Sequence, residues 1–177
     1  HLQSEAERVE LVGILERAGD RKTAKTILMP MCAKGGAGAL VVCLRLALDA
    51  KEFRKADRYA LRFSSLPDAA LFVREVLGNL RRKGRNEIAD RVVEALVGKP
   101  GFPLDVYGDE LNRRLADEGD AVEADIRTLA KYCVEAFPDG SGAIVVARAF
   151  AKAKRTPDAM YWFRQAIAGV KGPERAR

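Results

Sequence analysis

The sequence predicts an all-α protein built as an α-solenoid of about five antiparallel helical hairpins. The first observation is a pair of residues that recurs five times along the chain. A residue typical of loops is followed, five positions later, by an alanine at which an apolar helical stripe begins. These alanines lie 32, 33, 35 and 35 residues apart, a period typical of stacked helical hairpins. The second observation is that no alternating apolar run is bordered by hairpin-turn residues, so strands are not expected. The five pairs are Gly19 and Ala24, Lys51 and Ala56, Gly84 and Ala89, Gly119 and Ala124, and Lys154 and Ala159.

Capping and breaking residues set the expected helix ends. Ser4 and Glu7 form a capping box that opens the first helix. The glycines of residues 35–38 separate the second helix from the third, Pro67 opens the fifth, and the Gly- and Pro-rich residues 98–103 form the clearest loop. The expected helices cover about residues 4–18, 20–34, 39–50, 51–64, 67–83, 85–97, 105–118, 120–136, 141–154 and 157–170.

The apolar residues after the marker alanines place a buried stripe in the same register of four repeats. Positions three, four and seven after the alanine are apolar there, as expected for one face of a helix. In the last repeat this stripe includes Trp162 and Phe163, which are therefore predicted to be buried, whereas Tyr161 lies off the stripe. The fourth repeat has polar residues at these places. Starting from Ile126 instead of Ala124 restores its stripe as Leu129, Ala130 and Cys133.

The repeats carry weak family motifs. The last unit contains Ala147-x-x-Phe150 and then Ala159-x-x-x-Phe163-x-x-Ala166, and Pro103, Pro138 and Pro173 each stand one residue before the place where a next unit begins. This layout resembles the tetratricopeptide/pentatricopeptide superfamily of helical hairpins, which implies a right-handed superhelix. The chain is then a single helical-repeat domain over residues 1–177, or a fragment of a longer solenoid. Its approximate repeats are 4–36, 37–68, 69–103, 104–139 and 140–174.

Pentatricopeptide proteins, as a family, bind single-stranded RNA, mostly in mitochondria and plastids. The resemblance implies that an early residue of the first helix and the last residue of each repeat read a base, and that a basic residue near the hairpin loop contacts phosphate. Val9, Val41 and Ile144 occupy three of the early places and cannot hydrogen-bond a base edge. The possible base-reading residues are Asp68, Asp109 and Asp139. The expected RNA or phosphate contacts, from the resemblance and the basic loops together, are Arg17, Arg74, Arg82, Lys83, Arg85, Lys152 and Arg155.

Charge leaves two kinds of partner open. The net charge is +6, and residues 74–91 hold six basic side chains, which favours an anionic partner. Residues 105–125 hold eight acidic side chains against two basic ones, so an RNA path along the whole solenoid would cross an acidic stretch. We therefore expect a non-catalytic module that contacts RNA or a ribonucleoprotein through basic hairpin loops. The alternative is a tetratricopeptide-type scaffold that binds a protein or peptide in its concave groove, or a structural subunit of a large assembly.

Enzymatic constellations are scarce in this sequence. The sole histidine is His1, so acid–base or triad chemistry that needs histidine has no candidate. No catalytic residue, metal ligand set or cofactor is expected, and no apolar stretch is long enough to cross a bilayer. Cys32, Cys43 and Cys133 are widely scattered, which favours buried thiols in a reducing, intracellular compartment. That compartment is a mitochondrion or plastid if the pentatricopeptide resemblance holds, and otherwise the cytoplasm.

Overall fold

The computed structural model describes residues 4–116 and 120–170, and all regular structure in these ranges is helical. This confirms the all-α prediction. The described helices are α1 (Glu5–Arg17), α2 (Arg21–Lys34), α3 (Ala37–Asp49), α4 (Phe53–Ser64), α5 (Val73–Arg82), α6 (Asn86–Leu96), α7 (Leu104–Ala116), α8 (Asp120–Ala136), α9 (Ser141–Lys152) and α10 (Thr156–Val170), with a 3-10 turn at Ala69–Phe72 before α5.

Helix α5 begins later than the sequence predicts. The prediction starts it near Pro67, whereas the 3-10 turn takes up Ala69–Phe72 and the α-helix begins at Val73. Asp68 precedes the 3-10 turn without donating or accepting a side-chain capping bond. The sequence signal therefore marks the start of helical backbone rather than the start of α5.

The helices form two compact units, residues 1–96 and residues 97–177. In the first unit, consecutive helices pair as α1 with α2, α3 with α4 and α5 with α6, and α3 also packs on both α1 and α5. In the second unit, α7 pairs with α8 and α9 with α10, and α9 packs on both α7 and α8. The second core contains Tyr107, whose ring contacts Phe102 and Phe137 edge-on and whose hydroxyl accepts a bond from the Gly98 N–H (3.0 Å).

Four of the predicted loop markers end the first helix of a hairpin in the same backbone geometry. Gly19, Lys51, Gly84 and Lys154 have φ values of 82°, 59°, 70° and 60°, which is the left-handed region. In each turn the next N–H bonds to the carbonyl five residues back, as in a Schellman motif. Gly119, the fifth marker, lies outside the described residues. The four bonds are Asp20 N to Leu15 O (2.9 Å), Glu52 N to Ala47 O (2.8 Å), Arg85 N to Leu80 O (2.9 Å) and Arg155 N to Phe150 O (2.9 Å).

The alanines that follow these turns are buried. Ala24, Ala56, Ala89 and Ala159 are between 0% and 4% exposed. Each donates its N–H to the carbonyl of the residue directly after the marker, at 3.0 to 3.1 Å, so the turn fixes where the second helix begins. A side chain of one carbon at this place allows the two helices of a hairpin to approach closely.

Helix α8 follows the alternative register. Ala124 is exposed, whereas Ile126 and the stripe that begins there are buried. Helix α8 is 17 residues long, longer than the other described helices, which fits a shifted starting point for its buried face. The buried residues are Ile126, Leu129, Ala130 and Cys133.

The prediction that Trp162 and Phe163 are buried is wrong for Phe163 and only partly right for Trp162. Phe163 is 38% exposed and Trp162 is half-buried, while Ala166 on the same stripe is buried. Helix α10 packs chiefly on α9, so only one side of it is covered. Tyr161, expected off the stripe, is exposed.

The prediction of three free thiols is also wrong. A disulfide joins Cys32 at the end of α2 to Cys43 in α3, with their Cα atoms 5.7 Å apart, and only Cys133 is a free, buried thiol. The two cysteines lie on different helices on either side of the Gly35–Gly36 break, so their closeness depends on tertiary structure rather than on spacing. The reducing compartment, which was inferred from free thiols, loses that support.

The burial of the marker alanines gives a test with an internal control. Replacing Ala89 by Leu overfills a site that is 0% exposed, and we expect a loss of about 1–3 kcal/mol of unfolding free energy. Ala124→Leu changes the equivalent sequence position, but there the side chain is exposed, so a change within about 0.5 kcal/mol is expected. Urea unfolding measures both. Equal losses would contradict the shifted register of α8.

The left-handed turns give a second test. Gly84→Ala should destabilise the chain by about 1 kcal/mol, because its φ of 70° disfavours any Cβ. Lys51→Gly should instead raise the free energy of unfolding by about 0.5 kcal/mol, because Lys51 occupies the same left-handed region at φ 59° and glycine adopts it without strain. Thermal and urea unfolding of both variants check the signs. Stabilisation by Gly84→Ala would show that the turn is not held in this geometry.

Candidate phosphate-binding site

Three of the expected phosphate contacts lie at the loop ends of first helices. Arg17, Arg82 and Lys152 are exposed and stand in the last turns of α1, α5 and α9. Each lies two residues before its loop marker, as the resemblance implies. None of the three has a carboxylate partner within the described residues.

Arg85 and Arg155, which were also expected to contact phosphate, are instead held by carboxylates. Arg85 donates from Nη2 to Asp57 Oδ2 at 2.5 Å and from Nε to Asp57 Oδ1 at 3.2 Å, and its guanidinium lies 5.6 Å from the Phe53 ring centroid. These bonds join the start of α6, the second helix of the third hairpin, to α4, the second helix of the hairpin before it. Arg85 therefore has a structural role in this geometry.

Arg155 is bound by two carboxylates. It donates to both oxygens of Glu123 at 2.6 and 3.1 Å and to Asp158 at 2.8 Å, and it lies 4.8 Å from the Phe150 ring centroid. The hydrogen bond from Arg155 is the main reason that the pKa of Glu123 lies below its usual value, and the same pair raises the pKa of Arg155. Phosphate would have to displace both carboxylates to reach this guanidinium.

Arg82 and Lys83, in contrast, line a cavity of about 500 Å³ between the ends of α3 and α5. We call it the α3–α5 pocket. Sequence reasoning missed two of its members, Arg45 and Asn79, which stand six and five residues before the markers of their repeats. The pocket is lined by Arg45, Leu48, Asp49, Asn79, Arg82 and Lys83.

Asn79 orients the guanidinium of Arg82. Asn79 is only 5% exposed, and its Oδ1 accepts a bond from Arg82 Nη2 at 2.5 Å. Arg82 Nε also donates to the Gly78 carbonyl at 3.1 Å, which leaves the two N–H groups of Nη1 available. The Nδ2 amide of Asn79 is buried without a hydrogen-bond partner. A guanidinium fixed by two hydrogen bonds and lacking a carboxylate loses little side-chain entropy when it binds an anion.

The other two cations of the pocket have carboxylate partners. Lys83 Nζ lies 3.0 Å from Asp49 Oδ1, and Arg45 Nη2 lies 2.6 Å from Glu16 Oε2. Three cations against these two carboxylates leave one net positive charge. Basic residues are favourable at helix C-termini for their own sake, because they offset the helix dipole. The sign of charge alone therefore does not indicate a ligand; the oriented Arg82 inside a cavity does.

The expected base-reading residues are exposed, and the residues that line this pocket do not include them. Asp68 lies before the 3-10 turn of the first unit, and Asp109 lies on α7 in the second. Asp139 accepts bonds from the backbone N–H (3.0 Å) and the hydroxyl (2.6 Å) of Ser141, which lower the pKa of Asp139 and order the start of α9. Arg74 is exposed on α5, and it is not free of other contacts.

Within the described residues the free thiol is buried and no group of metal-ligand side chains is found. Burial raises the pKa of the Cys133 thiol to about 12, so at neutral pH this cysteine is protonated and a poor nucleophile. In residues 4–116 and 120–170, no three His, Cys, Asp or Glu side chains are grouped so that they could hold a metal ion. Asp117 and Glu118, two carboxylates of the acidic stretch 105–125, lie outside those ranges. No described helix is long and apolar enough to cross a bilayer.

Comparisons with models of known protein families, with curated proteins and with solved structures gave no match. The function is therefore inferred from the geometry of this chain.

The Glu123–Arg155 contact predicts a pH-dependent contribution to stability. Because the folded pKa of Glu123 lies below its ordinary value of 4.5, the contact stabilises the fold above about pH 4.5 and is lost as the pH falls through the folded pKa. Glu123→Gln should therefore lower the unfolding midpoint at pH 7, and its difference from wild type should shrink at about pH 3. Glu135→Gln, which removes an exposed carboxylate 3.8 Å from Lys131, is the control and should change little. A deficit of Glu123→Gln that does not depend on pH would exclude this role.

Proposed function

We propose that this chain is a non-catalytic helical-repeat module, of the tetratricopeptide/pentatricopeptide kind, that contacts single-stranded RNA or a ribonucleoprotein. The recurrence of one turn geometry and one buried alanine at intervals of about three dozen residues supports a solenoid of hairpins. In such a solenoid the loop ends of neighbouring first helices lie side by side, and the phosphates of a single RNA strand can contact them in succession.

The observation that carries the proposal is the oriented, carboxylate-free Arg82 in the α3–α5 pocket. Its guanidinium, with Lys83 and Arg45 beside it, has the donors and the charge that a phosphate group requires. Arg17 and Lys152 occupy the corresponding places of other hairpins. Arg85 and Arg155 serve the scaffold in this proposal rather than the ligand.

Salt dependence of binding tests the proposal. Affinity for a labelled, mixed-sequence single-stranded RNA should fall linearly in log salt, with a slope of about −0.7 per phosphate contact. Arg82→Ala with Lys83→Ala removes two contacts and should flatten the slope by about 1.4. Fluorescence anisotropy at four or more salt concentrations measures it.

The matched control removes the same charge elsewhere. Arg54→Ala with Arg58→Ala deletes two exposed cations of α4 that do not line the pocket, and it should leave the slope nearly unchanged. Equal flattening by both double variants would mean that only net charge matters. Absence of binding by the wild-type chain at low salt would reject the RNA proposal.

One observation favours the protein scaffold as a second candidate. Helix α10 exposes four large apolar side chains, and an apolar surface of this kind is typical of a site that binds another protein. If a protein is the ligand, partners recovered with the purified chain should survive RNase treatment, and Phe163→Ala should reduce their recovery while Arg82→Ala does not. The exposed side chains are Met160, Tyr161, Phe163 and Ile167.

A further inference from the structure

The disulfide between α2 and α3 opens onto a groove. Cys32 and Cys43 both line a cavity of about 720 Å³ that is bounded by residues of α1, α2, α3 and α4. The same groove is lined by Arg45, which also belongs to the α3–α5 pocket. The cross-link thus lies where a reagent in the groove can reach it.

The two cysteines of the disulfide differ in exposure. Cys43 is 2% exposed, whereas Cys32 is partly exposed. An incoming thiolate therefore reaches Cys32 first. The groove is lined by four basic side chains (Arg17, Lys25, Arg45 and Lys55) and three carboxylates (Glu16, Asp49 and Glu52), and this net positive charge favours the approach of an anionic sulfur.

Within the described residues, a hydrophobic cluster and several polar links also tie the hairpin of α1 and α2 to the rest of the first unit. Val12 is the only buried residue of α1, and the local core is small. The described polar links are the Gly36 N–H to the Glu5 carboxylate (2.9 and 3.0 Å), Arg45 to Glu16 (2.6 Å), and Arg62 to the carbonyls of Cys32 (2.7 Å) and Gly35 (3.2 Å). The disulfide adds a covalent link to these contacts.

We propose that the Cys32–Cys43 disulfide is a site of thiol–disulfide exchange that releases the first hairpin when a dithiol reduces it. One thiolate of the dithiol attacks Cys32 Sγ, the protein S–S bond breaks, and Cys43 leaves as a thiolate that takes up a proton. The second thiol of the reductant then attacks the mixed disulfide and frees Cys32. Two electrons and two protons pass to the protein, and the reductant leaves as its own disulfide.

The release has a consequence for the α3–α5 pocket. Arg45 follows Cys43 by two residues on α3 and is paired with Glu16 of α1. Loosening α1 separates this pair and removes one of the two carboxylates that balance the pocket's three cations. If the proposed RNA function holds, on which this step alone depends, the reduced chain should bind RNA roughly three- to fivefold more tightly at low salt.

The exchange itself is tested without RNA. The full chain is treated with dithiothreitol under native conditions, and Cys32 and Cys43 are then alkylated and identified by mass spectrometry. A parallel sample with glutathione should yield a mixed disulfide on Cys32 in preference to Cys43. Hydrogen exchange should accelerate about 30-fold or more across α1 and α2 on reduction, which corresponds to the lower end of what a cross-link over a loop of this length contributes.

Two variants serve as controls. Cys133→Ser keeps the cross-link and should respond to dithiothreitol as the wild type does. Cys32→Ser with Cys43→Ser should show the fast exchange without reductant and no further response; if it does not fold, the oxidised and reduced forms of Cys133→Ser still decide the question. A disulfide that resists dithiothreitol until denaturant is added, or hydrogen exchange that is the same in both states, would overturn the proposal.

RNA affinity is measured separately in the two redox states. Unchanged affinity with faster hydrogen exchange would retain the exchange site and remove its link to the pocket. Failure to bind RNA in either state would count against the proposed function and not against the exchange site.

Discussion

Four of the hairpins depend on one left-handed residue at the end of the first helix. In four turns this residue allows the following N–H to bond back across five residues, and the same step places an alanine against the partner helix. Local backbone geometry and tertiary contact are thus set by residues only five positions apart. A hairpin whose turn were shifted by one residue would rotate its second helix by about 100° and present polar side chains to the core.

Polar contacts join neighbouring hairpins once the turns are in place. Arg45 with Glu16, Arg85 with Asp57 and Arg155 with Glu123 connect residues about 30 positions apart. Part of the positive charge of the chain is therefore used within the scaffold. Net charge read from the sequence overstates the surface that remains for an anionic ligand. Arg82, held by Asn79 instead of a carboxylate, is one of the basic side chains that remain available.

Local signals account for what could be predicted. Gly19 and Gly84 are typical left-handed turn residues, and the apolar spacing after them indicated the buried faces of α2 and α6. The start of α5 and the exposure of Phe163 were missed, because the first depends on a 3-10 turn and the second on which neighbours cover α10. The disulfide and the pairing of Asn79 with Arg82 could not be predicted from a single sequence. The disulfide joins two different helices, so it depends on how they pack. Asn79 and Arg82 have the common helical spacing of three residues, and only the burial of Asn79 distinguishes this pair from others.

Arg62 places a constraint on the order of folding. The last carbonyls of α2 are capped by a side chain from α4, which is synthesised about 30 residues later. During translation at roughly 5–20 residues per second, the end of the first hairpin stays uncapped for seconds after it leaves the ribosome. A segment that is synthesised later therefore caps the end of the first hairpin. A pause in synthesis before Arg62 would prolong the time for which this uncapped end is accessible to chaperones.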